Sequence, residues 1–226
     1  MDWIAFLLSL RLSALTTVLL IPMGIIVGRT LAWRRFMGKG FVEALVAVPL
    51  VLPPTVLGYY LLVALGNRSP VGNLYEMLVG HPLVFSFAGL LVASIVINIP
   101  FAVQPLQRAF EAIAPEIREA AWCSGLSSWK TFATIELPLA WPGLISAAAL
   151  TFAHTIGEFG VVLMVGGNIP GETKTIAIAI YDRAQAFDQA AAGAMSATLL
   201  AFSLVAIGIA YGLSRRIGRR TATENA

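Results

Sequence analysis

Charged residues are scarce in this chain. Lys, Arg, Asp and Glu make up 12% of its 226 residues, against about 25% in an ordinary soluble domain. Five stretches carry no charge at all, at positions 12–28, 44–65, 82–107, 137–157 and 189–214. A helix needs roughly 20 apolar residues to cross the hydrocarbon of a bilayer, and the first run reaches that length when the apolar residues beside Arg11 or Arg29 are added. These runs predict an all-α integral membrane protein, a single domain over 1–226 with about five transmembrane helices.

Cysteine and histidine are also nearly absent. Cys123 is the only cysteine, which excludes an internal disulfide, and the two histidines, His81 and His154, are far apart in the sequence. We therefore expect no metal site and no bound cofactor. The N-terminal stretch also matches a signal peptide poorly. Asp2 lies where a basic region is required, and cations follow the apolar run. We expect the first span to be retained.

The sequence lacks a nucleotide-binding loop. Such a loop requires G-x-x-x-x-G-K-[ST], so that backbone N–H groups can approach phosphate. The nearest stretch, SGLSSWKT at 124–131, has Ser124 and Trp129 at the two glycine positions. Converging acids, histidines or a metal cluster, which a membrane-embedded transferase would need, are missing too. The chain is therefore not expected to be an enzyme.

The cations that are present lie mostly in three segments. Eleven of the fifteen follow the first span, separate the third and fourth, or follow the fifth. Since cytoplasmic segments are enriched in Lys and Arg, this asymmetry predicts an N-terminus outside and a C-terminus in the cytoplasm. The eleven residues are Arg29, Arg34, Arg35, Lys39, Arg108, Arg118, Lys130, Arg215, Arg216, Arg219 and Arg220.

Two further stretches carry local structural signals. Pro49, Pro53 and Pro54 must interrupt the second span, and freed carbonyls inside a bilayer are tolerated only against protein or a wet cavity. That span is therefore expected to face a bundle interior. The stretch 174–189 predicts a short helix at the outer surface, with partial entry into the membrane as a sixth element left open.

The segment 108–137, predicted to be cytoplasmic, is unusual for a solvated connector. Pro115 suits a first helical position, and Gly125 is well placed to end the helix in a left-handed conformation. Trp122, Trp129 and Phe132 follow closely. Aromatic residues at this density in an exposed loop indicate a docking surface.

At these residues the sequence resembles the permease subunits of ABC importers. Their cytoplasmic signature is Glu-Ala-Ala, three residues, Gly, nine residues, then Ile-x-Leu-Pro. The matching positions here are Glu119, Ala120, Ala121, Gly125, Ile135, Leu137 and Pro138. The resemblance implies a type I ABC importer permease fold and ATPase-coupling residues that sit in a groove of a separate ATP-binding subunit, present in two copies. It also implies an external binding protein, a second copy of the chain, and a bacterial or archaeal inner membrane.

Within that family the sequence is similar to the molybdate importer permeases. The similar stretches are VPLVLPPTVLGYYLLVALG at 48–66, GEFG at 157–160 and NIPGETKTI at 168–176. Sulfate-type permeases share the second stretch and the general layout, so transport of molybdate or tungstate is expected and sulfate is the alternative. A channel or secondary transporter outside the ABC class would normally show intramembrane charges, which are missing from the uncharged runs.

His154 and Glu158 are the remaining candidates. They are four residues apart on the fourth span and would share a helix face. Counting about 1.5 Å per residue from Pro138 places Glu158 roughly 30 Å along that helix. We expect a brace or gate at the outer end, with substrate contact as the alternative.

Overall fold

All regular secondary structure is helical in the part of the chain that a computed structural model describes, which is residues 1–223 except for the side chains of 210, 211 and 213–223. No β-strand occurs in that part. The helices are α1 (Trp3–Trp33), α2 (Lys39–Val51), α3 (Pro54–Leu65), α4 (Pro70–Val79), α5 (Phe87–Glu111), α6 (Pro115–Cys123), α7 (Ser128–Thr131), a π-helical turn (Phe132–Glu136), α8 (Leu137–Leu139), α9 (Trp141–Gly157), α10 (Gly160–Gly166), α11 (Ile176–Gln185) and α12 (Gln189–Thr223).

Three of these helices are long and apolar enough to cross a membrane unbroken, namely α1, α5 and α12, the last judged over Gln189–Ile209. Two further spans are bent pairs, Lys39–Val51 with Pro54–Leu65 and Ser128–Leu139 with Trp141–Gly157. Counting each pair as one span gives up to five. The predicted all-α class is confirmed.

The second span breaks at Pro53 and Pro54, whereas Pro49, which was also predicted to interrupt it, lies inside α2. Proline lacks a backbone N–H and clashes with the preceding turn, so α2 ends at Val51 and α3 begins at Pro54, with their axes 111° apart. The expectation that this span faces a bundle interior holds for α3, which buries Leu57, Gly58 and Leu65, but not for α2 in the single chain. α2 has no buried residue, and Val51 is 80% exposed.

The fourth span is also bent, which the sequence analysis did not predict. Its two parts meet at Ala140 with an angle of 68°. Pro142 stands in the first turn of α9, where a missing N–H is tolerated, and α9 starts there as a separate helix. The earlier estimate that Glu158 lies about 30 Å from Pro138 assumed one straight helix. The bend shows that this assumption was wrong.

The core is formed where α1, α5 and α9 pack together. Gly24 and Gly28 of α1 allow a close approach to α5. A Cβ on Gly28 would lie 2.9 Å from the backbone nitrogen of Gln107, and one on Gly24 would lie 3.0 Å from the carbonyl oxygen of Ala102. Glycines spaced by four residues commonly allow membrane helices to pack closely. Lipid is as apolar as the helix surface, so the hydrophobic effect does not drive the helices together and close packing must stabilise the contact.

Two of the three cation-rich segments, those that follow α1 and α5, meet at one end of this bundle. Trp33, at the end of α1, donates from Nε1 to the carbonyl of Phe110 near the end of α5, at 3.1 Å. Gln107 of α5 donates to Glu43 of α2 at 2.9 Å. The predicted cations Arg215, Arg216, Arg219 and Arg220 have side chains outside the described part of the chain.

The opposite end of the bundle contains the short helix predicted within 174–189. It is observed as α11, whose first turn is capped by the side chain of Thr175. Ser9 of α1 accepts a hydrogen bond from the backbone N–H of Ile176 at 2.8 Å. Ile176 and Ile178 are fully buried, so α11 is packed onto the bundle.

Candidate functional site

Helix α6 has a defined beginning and end. Pro115 occupies its first turn, and Glu116 supplies a negative charge there, which the helix dipole favours. At the other end Gly125 has φ +78°. Its N–H donates to the carbonyl of Trp122, while the N–H of Leu126 donates to that of Ala121. This pair of bonds is the Schellman motif, so the predicted left-handed termination at Gly125 is confirmed.

The predicted signature residues of α6 divide between surface and interior. Glu119, Ala120 and Gly125 are exposed, whereas Ala121 is 5% exposed. Trp122 shows 45% of its surface. The two neighbouring alanines therefore differ in environment. Ala120 faces outward, and Ala121 packs against the rest of the chain.

The second half of the signature lies in the segment that leads into α9. Ile135 and Leu137 are half-buried and Pro138 is exposed. The unspecified position between Ile135 and Leu137 is Glu136, and its side chain is completely buried. Among the described residues from Glu119 to Pro138, the signature thus includes a fully buried residue, Glu136, at a position where the motif does not specify the amino acid.

Glu136 is held by two arginines from other parts of the chain. Arg29 of α1 donates from Nε and Nη2 to the two carboxylate oxygens, at 2.7 and 3.2 Å. Arg118 of α6 donates from Nε at 3.1 Å. A buried carboxylate is costly unless paired and hydrogen-bonded, and here both oxygens are satisfied by charged donors. We call these three residues the Arg–Glu–Arg cluster.

Aromatic rings enclose the Arg–Glu–Arg cluster. The Arg118 guanidinium lies 3.7 Å from the ring centroid of Trp33 and 4.9 Å from that of Trp122. The Arg29 guanidinium lies 5.2 Å from Trp33 and 5.3 Å from Phe132. Cations within about 6 Å of an aromatic centroid are attracted to it. The enclosure links α1, α6 and the π-helical turn.

The Arg–Glu–Arg cluster was not predicted from the sequence. Arg29 and Arg118 were expected only as cations of the cytoplasmic side, and Glu136 was given no role. The one available signal was a carboxylate in an otherwise apolar stretch, ATIELPLAW. Its partner Arg29 is 107 residues away, and no spacing rule connects the two.

His154 and Glu158 approach each other but each has a closer partner. Their nearest charged atoms, Nε2 and Oε2, are 3.8 Å apart, which is too long for a hydrogen bond. His154 instead bonds Asn98 Oδ1 through Nδ1 at 3.0 Å and stacks on Phe101 at 4.1 Å between centroids. Glu158 accepts from the backbone N–H of Val161 at 3.1 Å. The residues that bind His154, on α5, were not found from the sequence.

A second ion pair fixes the loop between α10 and α11. Lys174 Nζ lies 2.6 Å from Asp182, and Asn168 donates to both carboxylate oxygens of Asp182. Partial burial raises the pKa of Asp182, but hydrogen bonds from Lys174 and Asn168 and the charges of Lys174 and Arg183 outweigh it, so the pKa is lowered. The loop that resembles the third family stretch is thereby tied to α11.

A donor set for a metal ion is not assembled in the described part of the chain. Within it, no three His, Cys, Asp or Glu side chains come together in a group that could hold a metal ion. Cys123 is free and exposed at the end of α6.

Comparison with known proteins agrees with the fold and the signature. Residues 20–219 match the family described as binding-protein-dependent transport system inner membrane component. The chain belongs to this family of transport permeases, which confirms the resemblance drawn from the motifs.

Individual relatives cover nearly the whole chain. It is 49% identical over 215 residues to the molybdenum transport system permease protein ModB of Azotobacter vinelandii, covering 95% of both chains. It is 36% identical to the protein of the same name from Escherichia coli K12, covering 95% and 94%. A probable sulfate transport system permease protein cysT of Chlorella vulgaris is 31% identical, covering 88% and 75%.

A solved structure shares the fold at low sequence identity. The crystal structure of a bacterial ABC transporter involved in import of the acidic polysaccharide alginate aligns with a TM-score of 0.77 at 20% identity, covering 95% of this chain and 79% of the other. The helical architecture is therefore that of an ABC importer permease.

Proposed function

We propose that the chain is the permease subunit of an ATP-driven importer that carries molybdate or tungstate across the cytoplasmic membrane. The observation that carries this proposal is α6, a helix that begins at Pro115, ends in a Schellman motif at Gly125, and leaves Glu119, Ala120 and Trp122 uncovered beside the buried Arg–Glu–Arg cluster. A rigid helix with an uncovered face is suited to enter a groove of a separate ATPase subunit. The higher identity to molybdenum permeases than to a sulfate permease supports the substrate.

The proposed role is to conduct the anion, not to catalyse a reaction. Two ATP-binding subunits would hydrolyse ATP, and an external oxyanion-binding protein would deliver the anion. A related arrangement is described for the alginate transporter, solved in complex with a pentasaccharide-bound periplasmic protein. The coupling residues in this proposal are Glu119, Ala120, Ala121, Gly125, Ile135, Leu137 and Pro138.

A second copy of the chain completes the proposed pore. The bent α2–α3 pair exposes apolar side chains such as Val51, Tyr59 and Tyr60. Its break frees backbone carbonyls that lipid cannot satisfy. A partner copy and a wet path between the copies would cover both features.

The proposed orientation places the N-terminus outside and the C-terminus in the cytoplasm. It is supported by the convergence of Arg29, Arg118 and the end of α5 at one end of the bundle, which is the arrangement that the positive-inside rule favours on the cytoplasmic side. The α10–α11 loop would then face the binding protein.

Reconstitution tests the function and the substrate together. The chain, its ATPase subunit and its binding protein are placed in vesicles, and ATP hydrolysis is measured with molybdate, tungstate or sulfate. Stimulation by molybdate or tungstate supports the proposal, and stimulation by sulfate alone would assign the chain to the sulfate type. Transport that continues without the ATPase subunit would indicate a channel or secondary transporter.

We propose that His154 and Glu158 brace the end of α9 that faces α10. Glu158→Gln keeps an acceptor for Val161 but removes the charge facing His154, so the balance between closed and open outer forms should shift and raise ATP hydrolysis without binding protein. Unchanged basal hydrolysis together with an altered preference among anions would show that Glu158 contacts the substrate.

A further inference from the structure

Helix α6 is attached to the bundle by very few groups. Of its nine residues only Ala121 is buried, and burying one methyl group contributes about 1 kcal/mol or less. Apolar burial cannot hold such a helix at a fixed angle. The contacts described between α6 and the bundle are made mainly by Arg118, which binds Glu136 and lies on the ring of Trp33.

The groups around Arg118 restrict both its position and its direction. Nε donates to Glu136, while Trp33 and Trp122 lie near the guanidinium. Trp33 is itself fixed, since its Nε1 donates to Phe110 and its ring meets the Phe110 ring edge-on at 5.3 Å. The guanidinium is planar and rigid, so each hydrogen bond that Arg118 forms costs little side-chain entropy. Arg118 can therefore hold α6 in one position and one direction.

Glu136 connects this arrangement to two spans. It lies in the π-helical turn that precedes α8 and α9, and it also binds Arg29 of α1 through both oxygens. One buried carboxylate therefore joins α6, α1 and the segment leading into α9. Its side chain is 0% exposed, so water does not reach the carboxylate itself.

We propose that Glu136 and Arg118 are positioning residues, which make α6 move as one body with α1 and the base of α9. This inference rests on the proposed function, because it assigns to the Arg–Glu–Arg cluster the transmission of ATPase movement from α6 to the spans. None of the three residues belongs to the signature positions that define the docking helix.

Arg118→Gln is the sharpest test variant. It cuts the link to α6 while Glu136 stays paired with Arg29 through both oxygens, so the carboxylate remains compensated. Glu136→Gln removes the charge that both arginines share and should give the same effects more strongly. The matched control is Glu43→Gln, which removes the half-exposed carboxylate of the Lys39–Glu43 pair, keeps an oxygen that can accept from Gln107 and leaves the cluster intact.

The first measurement needs no partner subunit. Cys123 is the only cysteine of the chain and lies exposed at the end of α6, so a nitroxide attached to it in the full-length chain in nanodiscs reports how firmly α6 is held. Arg118→Gln should increase the mobile spectral component several-fold, Arg118→Lys should increase it less, and Glu43→Gln should leave it unchanged. Equal mobility in wild type and Arg118→Gln would overturn the anchoring.

The second measurement uses the unlabelled complex in vesicles. The number of ATP molecules hydrolysed per anion transported should rise several-fold in Arg118→Gln and stay at the wild-type value in Glu43→Gln. If mobility rises while this ratio does not change, the cluster has no role in transmission. If the wild-type complex hydrolyses no ATP in response to an oxyanion, the proposed function fails, and the mobility result still decides the anchoring.

Should Arg118→Gln not accumulate in the membrane, Arg118→Lys replaces it in both measurements. Lysine keeps a cation beside Glu136 but loses the flat surface that lies on Trp33. An intermediate rise in mobility and in ATP consumption supports the proposal, and wild-type values in both contradict it.

Discussion

At the scale of single residues, Gly125 carries a backbone conformation that its neighbours do not need. Its φ is +78° and no heavy atom lies within 4 Å of an added Cβ, so a side chain there meets open space and the strain is purely in the backbone. Gly125→Val should destabilise the end of α6 by about 1 kcal/mol or more, and transport per ATP should fall while membrane insertion is normal.

Gly40 offers the control for this prediction. It also has no atom within 4 Å of an added Cβ, but its φ is not positive. Gly40→Val should therefore leave transport per ATP unchanged. Wild-type coupling in Gly125→Val would show that the left-handed turn at the end of α6 does not matter for transport.

Asp182 makes a pH-dependent contribution to stability. Its pKa is lowered from the ordinary value of 3.8, so its charged form is favoured in the folded chain. The stabilisation is complete above the ordinary pKa and disappears as the pH falls through the lower folded value.

Thermal unfolding of the purified chain tests this contribution. Asp182→Asn should unfold at a lower temperature than wild type at pH 7, and the difference should vanish at a pH below the folded pKa. A difference that persisted or grew under acid conditions would contradict the assigned direction of the shift.

Glu136 shows what could not be predicted at this scale. The capping role of Gly125 follows from local backbone rules that act over a few residues. The bonds of Glu136 depend on how α1 is brought against the segment before α9, across 107 residues of sequence. The sequence marks the carboxylate as unusual, but its partners are determined by tertiary packing.

At the scale of elements, the contact between α1 and α5 rests on two glycines. A Cβ on Gly28 would lie 2.9 Å from a backbone nitrogen and 3.1 Å from a backbone oxygen of α5, and neither atom can move without moving the helix. Gly28→Leu should cost about 1–3 kcal/mol, as overpacked cores do. Less of the chain should appear as a monodisperse peak after detergent extraction.

Gly208 of α12 is the matched position for that test. No heavy atom lies within 4 Å of its added Cβ, so Gly208→Leu introduces the same side chain without the clash. Equal yield and equal thermal stability of the two variants would show that α1 and α5 do not need glycine at this contact.

The two helix breaks differ in how well they were predicted. The adjacent Pro53 and Pro54 predicted a break, and α2 and α3 are separate helices on its two sides, while Pro49 is accommodated inside α2. The bend at Ala140 had a weaker signal in Pro142, which suits the start of a helix as well as its interruption. Composition indicates that 137–157 enters the membrane, but it does not show where the helix axis changes direction.

At the scale of the whole molecule, the topology has a direct test. In a Cys123→Ser background, Gly171→Cys should react with a membrane-impermeant thiol reagent added outside, and Lys39→Cys should not. The reason is the concentration of cations at the end of the bundle that contains Lys39. Labelling of Lys39→Cys from outside, with Gly171→Cys protected, would reverse the orientation.

Number and class of spans were predictable because composition and length decide them. The large uncovered surface of α2 and α3 was not predictable. A single sequence does not distinguish a helix face that contacts lipid from one that contacts another copy of the chain. Both environments accept the same apolar side chains.

The short length of α9 has a consequence for the surrounding bilayer. With 17 residues it is about 26 Å long, less than the roughly 30 Å of hydrocarbon. α9 is packed against α1, α5 and α12, and only 11% of the membrane-spanning window of α12 is buried. We therefore expect a change in bilayer thickness to act first on the tilt of α12, the least buried of the three unbroken spans, and to act less on α9 and the segment that joins it to α6.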